Sequence, residues 1–226
     1  STAAIFENST VLAVDLSLAS LAYAKRQTQE LGLQNVEYMH ADILDLANLE
    51  RQFDIIESSG VLHHMDDPMA GWKVLTDCLK PGGLMQIGLY SDLARQHIVK
   101  IREEISQSGI GTSNYEIKKF RKSIIASTEE HHRLILESSD FYSLSELRDL
   151  LFHVQEHRFT LLDIQACLAD VDLKFCGFSS RNIVRNFKLT NPGTGDPYDL
   201  EKWNVYEESN PDIFARMYQF WCQKVA

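Results

Sequence analysis

Several things are scarce in this 226-residue sequence, and each scarcity narrows what the chain can be. The four cysteines, Cys78, Cys167, Cys176 and Cys222, lie far apart with no CxxC or CxxH spacing, so no metal site and no redox pair is signalled. Reduced, mostly buried thiols are the plainer reading. There is no block of Lys or Arg, and the formal net charge is −10. Nucleic acids and anionic membranes need a concentrated basic footprint, which excludes them as main partners and favours a small or neutral substrate. No apolar run reaches the ~18–20 residues of a membrane span, and Ser1 to Thr10 has neither the basic flank nor the apolar stretch of a signal peptide. A cytoplasmic location is expected. Internal repeats are also missing. What is present, 44% apolar and 24% charged residues, suits one large globular domain with an insertion.

The first ninety residues alternate short apolar runs with helical patterns, as a parallel sheet with crossover helices does. Val11 to Val14 reads as a strand and Leu18 to Leu31 as a helix, with Ser17 as N-cap and Gly32 as its stop. Val36 to Met39 and Phe53 to Glu57 read as further strands. Pro68 to Leu79 reads as a helix opened by Asp66 and Asp67, and Pro81-Gly82-Gly83 as a turn into a strand from Leu84 to Tyr90. From Asp92 to Arg158 the pattern changes to polar helices carrying KKFRK, EEHHR and SELRDLLFHVQEHR, which predicts a helical insertion. Thr160 to Ala169 returns to amphipathic helix and Leu173 to Phe178 to strand. A loop around Asn191-Pro192-Gly193, a helix from Leu200 to Glu208 and a closing strand from Met217 to Gln223 complete the reading, with helix as the alternative for that last run.

Chemistry enters with Asp15, which ends VLAVDLS at the carboxyl edge of a parallel strand, where open α/β sheets bind ligands. A carboxylate there can accept both ribose hydroxyls of a nucleoside; the competing reading is that Asp15 merely caps the helix beginning near Ser17. Asp42, in HADIL, follows the next strand and can reach the edge of an adenine ring. Two acids at successive strand ends are a stronger signal than either one. In FDIIESSGVLHHMDDP, a buried strand opens into the small residues Ser58, Ser59 and Gly60, which let a ligand approach the backbone. LKPGGLMQIGLY then returns the chain to the sheet.

In the order and spacing of VLAVDLS, ADIL, FDIIESSGVLHH and LKPGG, the chain resembles the class I S-adenosylmethionine-dependent methyltransferases, over Val11 to Tyr90 and Thr160 to Lys224. The resemblance implies an α/β fold, a Rossmann-like methyltransferase sheet with helices on both faces and a helical insertion. It divides the chain into a core at residues 1–91, an insertion or lid at 92–158 and the remainder of the core at 159–226, where MYQFWCQK resembles the family's antiparallel last strand. It implies S-adenosylmethionine as cofactor, with Asp15 on the ribose, Leu16 beside the adenine, Asp42 and Ile43 at the adenine edge, and Ser58, Ser59 and Gly60 along the methionine part. Within the family, the insertion and tail most resemble methyltransferase domains found beside tetratricopeptide repeats.

The family opens with a strand and a glycine-rich loop ahead of the ribose acid, whereas the fourteen residues before Asp15 contain no glycine. A truncated core lacking its first strand is therefore expected, with weakened or lost cofactor binding. Two interior strand edges would be left unpaired, to be closed by rearrangement, by Ala3 to Phe6 or by a second copy of the chain, which makes a homo-oligomer the expected partner state.

Methyl transfer is an in-line displacement, so the protein must align two reactants and, for a protonated nucleophile, supply a base. His63, Tyr90 and His157 are the candidates. His131-His132 and FHVQEHRF read as solvated faces, while His153 and His157, four apart on one helical face, could present both imidazoles to a cleft but signal no third ligand for a metal. The resulting expectation is a methyltransferase domain acting on a small-molecule or protein acceptor. A non-catalytic methyltransferase-like fragment or interaction module is the alternative, and a nicotinamide-dependent dehydrogenase a weaker third.

Overall fold

The computed structural model describes residues 2–6, 8–152, 156–191 and 196–225. A helical turn α1 (Thr2–Ile5) leads into strand β1 (Val11–Asp15), helix α2 (Leu18–Glu30) and strand β2 (Val36–His40). Ser17 caps α2 by accepting from the Ser20 amide, and Gly32 ends it at φ +71°, a conformation that costs a side-chain-bearing residue energy. β1 and β2 pair in parallel from Val11 with Val36 to Asp15 with His40.

After a 3₁₀ turn at Leu44–Asn48 come strand β3 (Phe53–Ser59), helix α3 (Pro68–Asp77) and strand β4 (Leu79–Leu89). Asp67 caps α3 by accepting from the amides of Met69 and Ala70, and Pro68 occupies the first turn, where a missing amide costs nothing. β4 starts earlier than the Pro-Gly-Gly motif suggests. Leu79 already pairs with Phe53, and the register slips before Leu84 meets Ile55, so Lys80 to Gly83 form an irregularity inside the strand and not a turn ahead of it.

The helical insertion comprises α4 (Gln96–Gln107), α5 (Asn114–Ala126), α6 (Glu130–Ile135) and α7 (Leu144–Phe152). Its apolar stripes close on one another: Ile98, Ile101, Ile105, Ile117, Phe120, Ile124, Ile135, Phe141 and Leu147 form a core separate from that of the sheet. The chain enters and leaves through a narrow neck where Ser91 bridges to Phe159, with the Asp92 amide donating to Phe159 O and the Phe159 amide to Tyr90 O.

Helix α8 (Leu161–Asp170), strand β5 (Leu173–Phe178), helices α9 (Arg181–Thr190) and α10 (Leu200–Ser209), and strand β6 (Tyr218–Lys224) complete the fold. The sheet order is β3-β4-β6-β5, with β6 antiparallel to both neighbours, which identifies the aromatic closing run as a strand. Alternation explains the choice: Tyr218, Phe220 and Cys222 point inward and are fully buried, whereas Gln219 and Gln223 are exposed. Trp203 of α10 stacks on Phe187 of α9 at 3.9 Å between ring centroids, beside Phe178 and Phe214. Each large ring buried here contributes roughly 1.5–3 kcal/mol.

Among the described residues no strand joins β1 to β3, so β1-β2 forms a two-stranded sheet of its own. Ala3 to Phe6 does not supply the expected strand. The segment coils into α1, where Asn35 Nδ2 donates to the carbonyls of Ala3, Phe6 and Ser9 and Thr2 Oγ1 donates to the Glu57 carboxylate. No described helix is long and apolar enough to cross a membrane.

Candidate functional site

The carboxyl ends of β1, β2 and β3 carry the first group of candidates. Asp15 is exposed, and its Oδ1 accepts from the Ser17 amide at 2.7 Å, a local turn that fixes the carboxylate just beyond the strand. Asp42 is half-buried, and its Oδ1 accepts from the Leu44 amide at 2.9 Å. Asp15 does not cap α2: Ser17 does, and Asp15 Oδ1 holds the Ser17 amide ahead of it. Asp42 lies two residues past His40, the strand partner of Asp15. With neighbouring strands ~4.8 Å apart and a rise of ~3.3 Å per residue, the two backbones stand about 8 Å apart, the scale of a nucleoside. Leu16 is 65% exposed beside Asp15, and Ile43 is half-buried against the core. His40 Nε2 lies 2.9 Å from Leu16 O and ties the two loops together.

At the end of β3, Ser58 is buried and its Oγ has no hydrogen-bond partner among the described residues. Ser59 Oγ donates to Met217 Sδ across the neighbouring Gly88, where an added Cβ would meet Ser59 Oγ at 2.3 Å. Gly60 turns the chain at φ +77°. Asp15 and Leu16 are exposed, whereas Asp42 and Ile43 are half-buried. Two cavities among the described residues, of about 380 and 460 Å³, lie elsewhere, one between α8, β5 and α10 and the other along α9.

The second group meets at the neck of the insertion. His63 is fully buried and stacks on Tyr90 with centroids 3.9 Å apart, and its carbonyl accepts from the His157 amide at 2.8 Å. His63, Tyr90 and His157 therefore come together, although they are read from three separate motifs. His153 lies outside the described residues. Burial raises the Tyr90 pKa, with Arg95 opposing it, so the phenol stays protonated at neutral pH. His157 is half-buried and has more access to solvent than His63.

Sequence reasoning missed the charged frame around this group. The Arg95 guanidinium lies 3.6 Å from the centre of the Tyr90 ring, opposite a bidentate bond to Glu156 at 2.9 and 2.8 Å. Arg102 adds a third bond to Glu156 at 3.1 Å. Beneath it, Glu207 accepts from Ser91 Oγ at 2.7 Å and from the Tyr218 hydroxyl at 2.8 and 2.7 Å, all within the interior. Burial is the largest influence on Glu207 and holds its pKa above the ordinary carboxylate value despite these bonds. Arg95 and Glu156 are 61 positions apart and look like ordinary surface charges; the only local signal is that both flank apolar helical stripes.

Comparison with known proteins bears on the same regions. Residues 1–85 match the family model described as a methyltransferase domain. An uncharacterized protein of Synechococcus is 28% identical over 219 residues, covering 90% of this chain and 52% of its own length. A ubiquinone biosynthesis O-methyltransferase of Ruegeria pomeroyi is 32% identical over 74 residues, 33% of this chain and 29% of that protein. Among solved structures, PKMT2 from Rickettsia typhi superposes with a TM-score of 0.67 at 20% identity, covering 97% of this chain and 44% of that one. YcgJ from Bacillus subtilis superposes at 0.51 and 16% identity, over 100% and 87% of the two chains. The chain thus spans about half the length of the Synechococcus protein and less than half of PKMT2. The solved structures show the fold, and the methyltransferase-domain match covers residues 1–85 of the chain.

Proposed function

We propose that this domain transfers a methyl group from S-adenosylmethionine to a small-molecule or protein acceptor. The observation that carries the reading is the position of Asp15 and Asp42, just past neighbouring parallel strands and inside the stretch that matches a methyltransferase domain. The donor set fits a nucleoside: one carboxylate for vicinal hydroxyls, a second on a backbone about 8 Å away for a ring edge, and the apolar Leu16 and Ile43 next to them in the chain. The unpartnered Ser58 hydroxyl and the small residues Ser59 and Gly60 suit the cofactor's amino-acid portion. PKMT2 has been solved in complex with AdoHcy, which supports assigning this class of ligand to the fold.

When bound, the cofactor supplies a methyl group on a positively charged sulfonium. The chain's own residues hold and orient the reactants. Asp15 and Asp42 fix the nucleoside, Ser58 to Gly60 keep the backbone open for close approach, and the insertion rises from the far end of β4 to bound the acceptor side. Tyr90, protonated and clamped between His63 and Arg95, positions the acceptor by hydrogen bonding. His157, with more access to solvent than His63, is the group placed to take a proton from a neutral nucleophile.

Calorimetry with S-adenosylhomocysteine tests the proposal. Micromolar binding is expected, weakened about 10–100-fold in Asp15→Ala, since hydrogen bonds to a charged group contribute about 1.5–3 kcal/mol. No heat at millimolar ligand would sink it.

A further inference from the structure

The helical insertion brings together two imidazoles and a carboxylate that neither the sheet nor the candidate methyl-transfer site uses. Glu104 projects from α4, and His131 and His132 are consecutive residues of α6. The Glu104 carboxylate and the Nε2 atoms of both histidines lie within 4.8 Å of one another. His131 Nε2 contacts Oε1, and His132 Nε2 lies 2.8 Å from Oε2. Sequence reasoning assigns these histidines to a solvated face, yet their side chains are only 16% and 12% exposed, while Glu104 at 38% leaves one side open to solvent.

We infer that Glu104, His131 and His132 form a binding site for a late first-row divalent cation, with Zn²⁺ the representative. A set of two nitrogens and one oxygen suits Zn²⁺, Co²⁺ or Ni²⁺, whereas Mg²⁺ and Ca²⁺ prefer oxygen-only ligands. Tetrahedral Zn²⁺ with bonds of about 2.0–2.1 Å separates its ligand atoms by about 3.3 Å, so the 2.8 Å contact has to open by about half an ångström and the shorter His131 contact by just under one. A partly exposed glutamate can make that movement. The outer hydrogen bond that orients a ligating imidazole is also present. His132 Nδ1 lies 2.7 Å from Ser127 Oγ, and that oxygen is held in turn by the Glu129 amide. Three protein ligands leave one coordination position on the open side for water.

The ion would fasten α4 to α6, whose apolar residues Ile101, Ile105 and Ile135 belong to the insertion's own core. Binding therefore stabilises the insertion as a unit, apart from any role in methyl transfer.

The test is calorimetric titration of the EDTA-stripped chain with ZnCl₂, with the visible absorption of Co²⁺ as a second readout of coordination. One Zn²⁺ per chain with a micromolar or tighter Kd is expected. A metal excess of about 100-fold over Kd should raise Tm by about 5–10 °C. Glu104→Gln and His131→Gln/His132→Gln should abolish saturable binding, while melting in EDTA reports whether they fold. Ser127→Ala leaves every ligand and the core in place and should weaken binding about tenfold; it decides the matter if the ligand variants do not fold. Absence of saturable binding in the parent chain, or wild-type binding in the double histidine variant, overturns the inference.

Discussion

The Arg95–Glu156 pair offers the sharpest test of how the insertion is held to the sheet. The two side chains are 4% and 2% exposed, and Arg102, at 19%, leans on the same carboxylate. Glu156→Gln keeps the shape and removes the charge, leaving two guanidinium groups facing a neutral amide in a nearly dry site. Breaking a buried pair from one side costs about 3–5 kcal/mol, a large share of the roughly 5–15 kcal/mol that holds a typical domain together. At about 1–3 kcal/mol per molar urea, the midpoint should fall by about 1–2 M or more. Because Glu156 lies at the neck, circular dichroism, dominated by helix, should lose signal before the fluorescence of Trp72 and Trp203, which sit in the sheet core. Arg95→Met/Glu156→Leu replaces the pair with apolar volume and should cost less than Glu156→Gln alone. A single-variant cost under about 1 kcal/mol, or a double variant at least as damaging as the sum of Glu156→Gln and Arg95→Met, would refute the reasoning.

Three further outcomes follow from the same geometry. Burial raises the Glu207 pKa above the ordinary glutamate value of about 4.5, so the native state binds more protons there than the unfolded state. Its contribution to stability is therefore present below about pH 4.5 and lost as pH rises through the raised native value. Glu207→Gln should flatten that part of a stability–pH curve measured by urea unfolding, and an unchanged slope would remove Glu207 as its source. Gly88→Ala drives a Cβ to within 2.9 Å of Met217 Sδ and 3.0 Å of Ser59 Cα, as well as onto Ser59 Oγ, and should cost about 1–3 kcal/mol in thermal melts. Gly32→Ala has open space around it but keeps φ at +71°, so its expected cost of about 1 kcal/mol arises from the backbone alone. Equal costs at the two glycines would mean that crowding at Gly88 is relieved without resistance.

The parts of the fold written in local pattern could be read from the sequence. β1, β2, β3 and β5 are short apolar runs, and α2 and α3 announce themselves through Ser17 and Asp67, which make the expected cap bonds. The strand character of Tyr218–Lys224 was harder, because seven residues are too few to separate the two periodicities; burial on alternate positions settles it. α9 was missed although its signal was local, since Ser180 caps it and Ile183, Val184 and Phe187 form an apolar stripe among Arg, Asn and Lys. The places of Asp15, at the end of β1, and of Asp42, two residues past β2, could be read because the strands before them are recognisable. The neck could not. Arg95, Glu156, Ser91, Glu207 and Tyr218 are distant in sequence, and the energy that selects their partners is desolvation, which acts only once the chain has closed around them.

The two cores of the chain follow from that distinction. Ile98, Ile101, Ile117, Ile124 and Phe141 find one another inside the insertion through helical spacing, while Trp72, Leu79, Phe178, Trp203 and Phe220 do so around the sheet. Neither cluster needs the other to bury its rings. What couples them is polar and specific: the Ser91 to Phe159 bridge and the Arg95–Glu156 pair stacked over Tyr90 and His63. An apolar neck would join the units as strongly but would tolerate many relative placements, because dispersion contacts have little directionality. A bidentate guanidinium–carboxylate bond accepts one orientation, so its desolvation cost is offset by a fixed angle between the insertion and the carboxyl end of β4. Tyr90 occupies that junction. An aromatic side chain held on one face by an imidazole and on the other by a guanidinium is positioned by both cores at once. Any tilt of the insertion against the carboxyl end of β4 therefore has to disturb the Tyr90 stack.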